Sequence, residues 1–236
     1  MMSLFDRAAL TGLLLGCLAL AVLNWLHGHP GSDPWAPLVL DEKPGWATGR
    51  KLAELRADVR TCRAFLQRSG IANSLLPAAG AGACRREDRR MLLLAQVRLS
   101  PRRAEATCAV EAGLAWWLRH GIQPQAQAVY GSPVVMLEHL GTVNCRRIGN
   151  GGTGNWSEHA TGNGIDIAAF VLANGHRIEV RRDWKAGGRD AAFLHAVRDH
   201  ACRAFSTVLS PDYNAAHADH LHLDQMRRPA SWSVCR

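Results

Sequence analysis

The sequence predicts an α+β domain preceded by a single membrane-spanning helix. Three observations carry this reading. An apolar run opens the chain, segments of helical period alternate with short β-type runs, and a hairpin turn joins two of those runs directly. The chain has 236 residues, which suits one compact domain with an N-terminal addition. Hydrophobic residues make up 47% and charged residues 20%, so a core can form, and the composition is neither disordered nor fibrous. The formal net charge is +8. Its arginines are scattered in pairs such as Arg102-Arg103, Arg146-Arg147 and Arg227-Arg228, with no basic helix face or aromatic RNA-binding signature. That pattern argues against nucleic acid and suits an anionic wall or lipid surface.

Residues 8–26 are almost wholly apolar, with Arg7 before them and Trp25 near the end. At about 1.5 Å per residue the run rises about 28 Å, close to the hydrocarbon thickness of a bilayer. It is longer than a signal-peptide core, and no small-x-small cleavage site follows. Leu14-Leu15-Gly16-Cys17 loosely resembles a lipoprotein site, but the apolar run continues past Cys17. The expectation is an uncleaved single-pass anchor in the cytoplasmic membrane. Residues 1–7 then lie in the cytoplasm and the rest in the periplasm or outside. Apart from Cys17, the cysteines are Cys62, Cys84, Cys108, Cys145, Cys202 and Cys235. The set is even and has no C-x-x-C pair, which predicts three disulfides in an oxidising compartment. Closeness in sequence alone pairs Cys62 with Cys84.

The elements follow in order. Residues 27–46, rich in Pro and Gly, read as a linker leading away from the membrane, and 47–236 as the domain. Leu52, Leu55, Val59 and Phe65 recur at helical spacing and predict a helix over 51–67. Residues 70–83 read as a loop and 91–99 as a strand. A helix is expected over 107–121, with Cys108, Leu114, Trp117 and Leu118 on one side and Gly121 ending it. Strands are expected over 133–140 and 165–172, the second turning at Asn174-Gly175 into 177–180. An amphipathic helix covers 189–205, and 212–224 is a loop entering a short strand. No internal repeat is present.

Two segments carry chemistry: Ser157-Glu-His159-Ala-Thr-Gly162-Asn-Gly164-Ile-Asp166 and His217-Ala-Asp219-His220-Leu-His222-Leu-Asp224. On a strand, His220, His222 and Asp224 project from one face. One ring of a His-x-His pair can bind a metal while its neighbour orients a ligand or moves a proton. Asp166 sits between Ile165 and Ile167, where a carboxylate is costly to bury unless paired or metal-bound. A lone histidine is ordinarily a satisfied polar residue. His159, Asp166, His217, His220 and His222 in two short stretches are harder to explain that way. Two histidines and one carboxylate with an open fourth position make a catalytic zinc arrangement. Ligand softness favours zinc over calcium or magnesium and leaves copper and nickel open.

The spacing Ser-x-His-x-x-Gly-x-x-x-Asp at 157–166, followed by His-x-His at 220–222, resembles the LAS metallopeptidases. These include D-alanyl-D-alanine carboxypeptidases and dipeptidases, murein endopeptidases and the Hedgehog signalling domain. Residues from about 100 to 235 resemble still more closely the bacterial extensin-like C-terminal family. The marks are Gly131-Ser132-Pro133, Cys145-Arg146, residues 157–166, Asp183-Trp184 and residues 209–222.

The resemblance implies a small antiparallel sheet flanked by helices, with Zn2+ on His159, Asp166 and His222. It implies a general base among His220, His217 and Asp219, in that order of preference, and Arg146 as the anchor of a substrate carboxylate. Some LAS enzymes carry Glu at the position of Asp219, and this chain departs from them there. Ser157 is expected to steady the first motif, and Trp116, Trp117 and Trp184 to pack in the core or against the surface. The function implied is a cell-envelope zinc peptidase acting on peptidoglycan peptides. The alternative is a non-catalytic, zinc-stabilised domain that binds wall polymer or protein.

Overall fold

The computed structural model describes residues 3–72, 74–94, 96–228 and 232–236, with the backbone alone at residue 150. Helix α1 (Leu4–Gly28) begins at Ser3, whose hydroxyl accepts from the Asp6 amide. It is long and apolar enough to cross a membrane, and only Leu26 in it is buried. The Pro- and Gly-rich stretch after it folds against the domain. Lys51 Nζ donates to the Pro30 carbonyl at 2.6 Å, Ala47 N to the Gly31 carbonyl at 3.2 Å, and Leu38 is buried.

The helix expected over 51–67 is two helices, α2 (Thr48–Ala57) and α3 (Val59–Arg68). The break is Asp58, extended at φ −128°, whose carboxylate accepts the Arg60 amide at 2.8 Å. A short acidic side chain satisfies a free helix-start N–H better than it serves a helix interior. The expected loop over 70–83 contains β1 (Leu75–Leu76). The expected strand over 91–99 is instead the end of β2 (Arg89–Met91) and the start of β3 (Arg98–Ser100), which belong to different sheets. With β4 (Glu105–Ala106), β1 and β2 form a small ribbon in the order β1-β2-β4.

Thr107 caps α4 (Cys108–Trp117), in which every residue is buried. Its Glu111 pairs with buried Arg90 of β2. Gly121 does not end this helix. The chain passes through a π-helical turn, Leu118–Ile122, into α5 (Gln123–Tyr130), and the left-handed terminator is Gly131 at φ +61°. A Cβ on Gly121 would lie 2.7 Å from His200 Cβ and 2.8 Å from the Trp117 ring, so the glycine serves close packing.

The remaining elements are β5 (Val134–Gly141), β6 (Gly164–Leu172), β7 (Arg177–Glu179), α6 (Val180–Asp183), α7 (Gly188–Ala204), β8 (Thr207–Leu209), β9 (Leu221–Asp224) and β10 (Val234–Cys235). The sequence reading lacks α6, β8 and β10 as separate elements. Among the described residues the main sheet has seven strands in the order β10-β8-β9-β6-β5-β3, with β7 also on β6. Only the two edge pairings, β10 with β8 and β3 with β5, are parallel. The fold is therefore α+β. The core lies between this sheet and α4, α5 and α7, where the buried Trp117 stands edge-on to Phe170 and Phe205.

Three disulfides form, Cys62–Cys108, Cys84–Cys145 and Cys202–Cys235. The expected Cys62–Cys84 pair is not made, because Cys62 on α3 packs directly on the start of α4. Trp116, Trp117 and Trp184 are all buried.

Candidate metal centre

Strand pairing builds the centre. Asp166 of β6 and His222 of β9 are direct partners across an antiparallel pair, so their side chains rise side by side from one face. Leu221 and Leu223 point the other way and are fully buried in the core. His159 comes from the 3₁₀ turn Glu158–Thr161 just before β6. Ser157 caps that turn, its hydroxyl accepting the His159 amide at 3.3 Å. Gly162, at φ +71°, closes it, a conformation that favours glycine.

These three side chains meet at one point. His159 Nε2 lies 3.2 Å from Asp166 Oδ1 and 3.0 Å from His222 Nδ1, and His222 Nδ1 lies 2.9 Å from the same Asp166 oxygen. Their exposures are 3%, 17% and 11%. The outer ring nitrogens are already engaged. His159 Nδ1 donates to the Thr142 carbonyl at 3.2 Å, and His222 Nε2 to Asp224 Oδ2 at 3.0 Å. With those protons placed, neutral rings turn bare lone pairs at one another and at a carboxylate. Three electron-pair donors this close need a proton or a cation between them.

The charge balance reflects that need. Burial disfavours a charged His222, yet its hydrogen bonds to Asp166 and Asp224 override it and raise its pKa to about 9. Burial likewise opposes ionisation of Asp166, but His159 and His222 hold it well below the usual carboxylate range. A metal fits the same place. Tetrahedral zinc with bonds of about 2.0–2.1 Å sets its ligands about 3.3 Å apart. The donor spacings of 2.9–3.2 Å are near that edge, and both imidazoles have the outer partners that zinc-bound histidines require. These three residues could hold a metal ion.

The other expected residues surround this point. His220 Nε2 is 3.6 Å from Asp166 Oδ1, and its Nδ1 lies 2.8 Å from Asp219 Oδ1. Asp219 itself is about half exposed and faces His220. The His217 ring centre is 5.3 Å from that of His220 and 5.9 Å from that of His222. Burial, then the neighbouring His220 and His222, pushes its pKa down to about 4. Arg146 is half-buried, and its charge is felt at His217. No hydrogen bond or ion pair engages its guanidinium among the described residues.

Sequence reasoning placed Asp224 on the right face without giving it a task. It missed Thr142, which acts through a backbone carbonyl and so leaves no side-chain signal. It also missed Asn214, whose Oδ1 lies 2.7 Å from His217 Nδ1, and Tyr213, whose ring packs on His217.

A family model described as Extensin-like protein C-terminus matches residues 60–236. The match begins about forty residues earlier than the resemblance read from the motifs. No curated protein and no solved structure matches the chain.

Proposed function

The chain belongs to the extensin-like protein C-terminus family, and on that premise we propose that it is a membrane-anchored zinc hydrolase acting on peptidoglycan peptides in the cell envelope. The observation that carries this reading is the convergence of three donor atoms on one point, with both imidazoles oriented from behind by a carbonyl and a carboxylate. His159, Asp166 and His222 would hold the ion. Zinc, when bound, supplies a Lewis acid that polarises a carbonyl and lowers the pKa of a water toward about 7.

The chain's own residues supply the rest. His220 takes the proton of the attacking water on Nε2, the nitrogen that faces the centre, and returns it to the leaving amine. Asp219 keeps that nitrogen free by accepting from Nδ1, so it acts as a positioning group. His217, kept neutral at physiological pH by burial and its neighbours, stands beside His220 as a second proton acceptor. Arg146, with an unengaged guanidinium, pairs with a substrate carboxylate. In this reading the apolar helix α1 holds the domain at the membrane, and the three disulfides support an oxidising-side location.

The test is metal content, then turnover. The chain exported through an oxidising route should carry about one zinc by mass spectrometry, and Asp166→Ala should carry none. His220→Ala should keep its zinc and lose about 10²–10⁴-fold in muropeptide cleavage. Undiminished zinc in Asp166→Ala would overturn the ligand set. The half-exposed Asp219, standing where some LAS peptidases carry a catalytic Glu, favours a second reading: a zinc-stabilised, non-catalytic binding domain. Full zinc loading with no cleavage, and wall binding that survives His220→Ala, would decide for it.

A further inference from the structure

A basic cavity whose walls include none of the candidate metal ligands lies on the side of the domain that receives the end of α1. It has a volume of about 410 Å³, and its walls include Pro44, Gly45, Thr48, Arg56, Arg203 and Ser233. Among the described residues neither guanidinium forms an ion pair. Arg56 Nε donates to the neutral Gln225 side chain, and Arg203 has no side-chain hydrogen bond. The carboxylate whose charge reaches Arg56 is Asp224, already engaged by His222 and the Met226 amide. Burial lowers Arg56 to about 10, with Asp224 offsetting part of the effect, so it stays charged at neutral pH. Two cations thus line a cavity with no anion of the chain set between them.

The surroundings point to what fills it. Thr48, on its wall, donates to the Gly31 carbonyl at 3.3 Å, and Gly31 follows closely on Gly28, where α1 ends. Trp46 and Trp232 adjoin wall residues Gly45 and Ser233 and are 68% and 54% exposed. Trp25, in the last turns of α1, is also exposed. Tryptophan with a free surface is at home where headgroups meet hydrocarbon, and arginine there pairs with lipid phosphate.

We propose that this face rests on the membrane and that the cavity takes the headgroup phosphate of an anionic phospholipid, held by Arg56 and Arg203 with Trp46 and Trp232 seated at headgroup depth. The inference rests on reading α1 as a membrane anchor and is independent of zinc.

The full chain, extracted with phosphatidylglycerol and phosphatidylcholine in equal amounts, tests it by native mass spectrometry of retained lipid. Phosphatidylglycerol should be retained selectively. Arg203→Glu, at an exposed site on α7, should lower that retention at least about fivefold, and Arg56→Gln should act in the same direction. Equal retention of the two lipids, or unchanged retention in Arg203→Glu, would overturn the proposal. Displacement of the lipid by equimolar inorganic phosphate would overturn it too, by making the cavity a free-anion site. Alkaline carbonate extraction separates the two levels. Release of the chain from membranes removes the anchor reading, whereas an anchored chain without lipid selectivity removes this inference alone.

Discussion

His222 faces a carboxylate on each side, Asp166 at 2.9 Å from Nδ1 and Asp224 at 3.0 Å from Nε2. That environment sets a pH dependence of two opposite signs. In the metal-free chain the ring is protonated up to about pH 9, and a metal must displace that proton. Zinc affinity should therefore tighten up to about tenfold per pH unit as pH rises toward about 9. Calorimetry in two buffers of different ionisation enthalpy should show close to one proton released per zinc at neutral pH. The metal-free fold behaves in reverse. His222 is raised from 6.5, so its stabilisation is complete below pH 6.5 and lost as pH rises through about 9. Melting of the chelated chain should fall across that window, while the zinc-loaded chain should not. A parallel fall in both would place the titration elsewhere.

Gly121 shows how one position can mislead at the level of the element. A glycine after an apolar helical run ordinarily stops it, yet here α4 continues through a π-turn into α5, and the glycine instead leaves room for α7 to pack close. Gly121→Ala tests this. Alanine favours helix by up to about 1 kcal/mol, whereas overpacking a tight contact costs about 1–3 kcal/mol. The clash is with His200 Cβ, close to the backbone and unable to swing away, so the penalty wins. The variant should unfold at lower denaturant than the parent. Unchanged or raised stability would mean that α7 yields, and that the glycine is not a packing requirement.

At the scale of the molecule, cross-links join segments of the domain that are distant in sequence. Cys62–Cys108 spans 46 residues and joins α3 to the buried α4. Closing a loop of that size restrains the unfolded chain by about 4 kcal/mol. A Cys62→Ala/Cys108→Ala double variant should lose a comparable amount in chemical denaturation, and a loss below about 1 kcal/mol would mean that the helix contact is made without help. Cys84–Cys145 fastens the residue beside Arg146, and Cys202–Cys235 brings β10 to the end of α7.

The sequence by itself determined whatever is local. The membrane-length helix, α7 to within a residue at each end, the apolar strand β6 and the two histidine segments follow from periodicity and spacing over a few turns. So does the presence of three disulfides, from an even cysteine count. The tertiary structure alone decided what depends on long-range closure. It set Asp166 opposite His222, turned a Thr142 carbonyl toward His159, paired Cys62 with Cys108, and completed the sheet with β8 and β10. Those features arise when distant segments bury apolar surface together. Backbone carbonyls and strand registers leave no residue-type signature until the packing that fixes them exists.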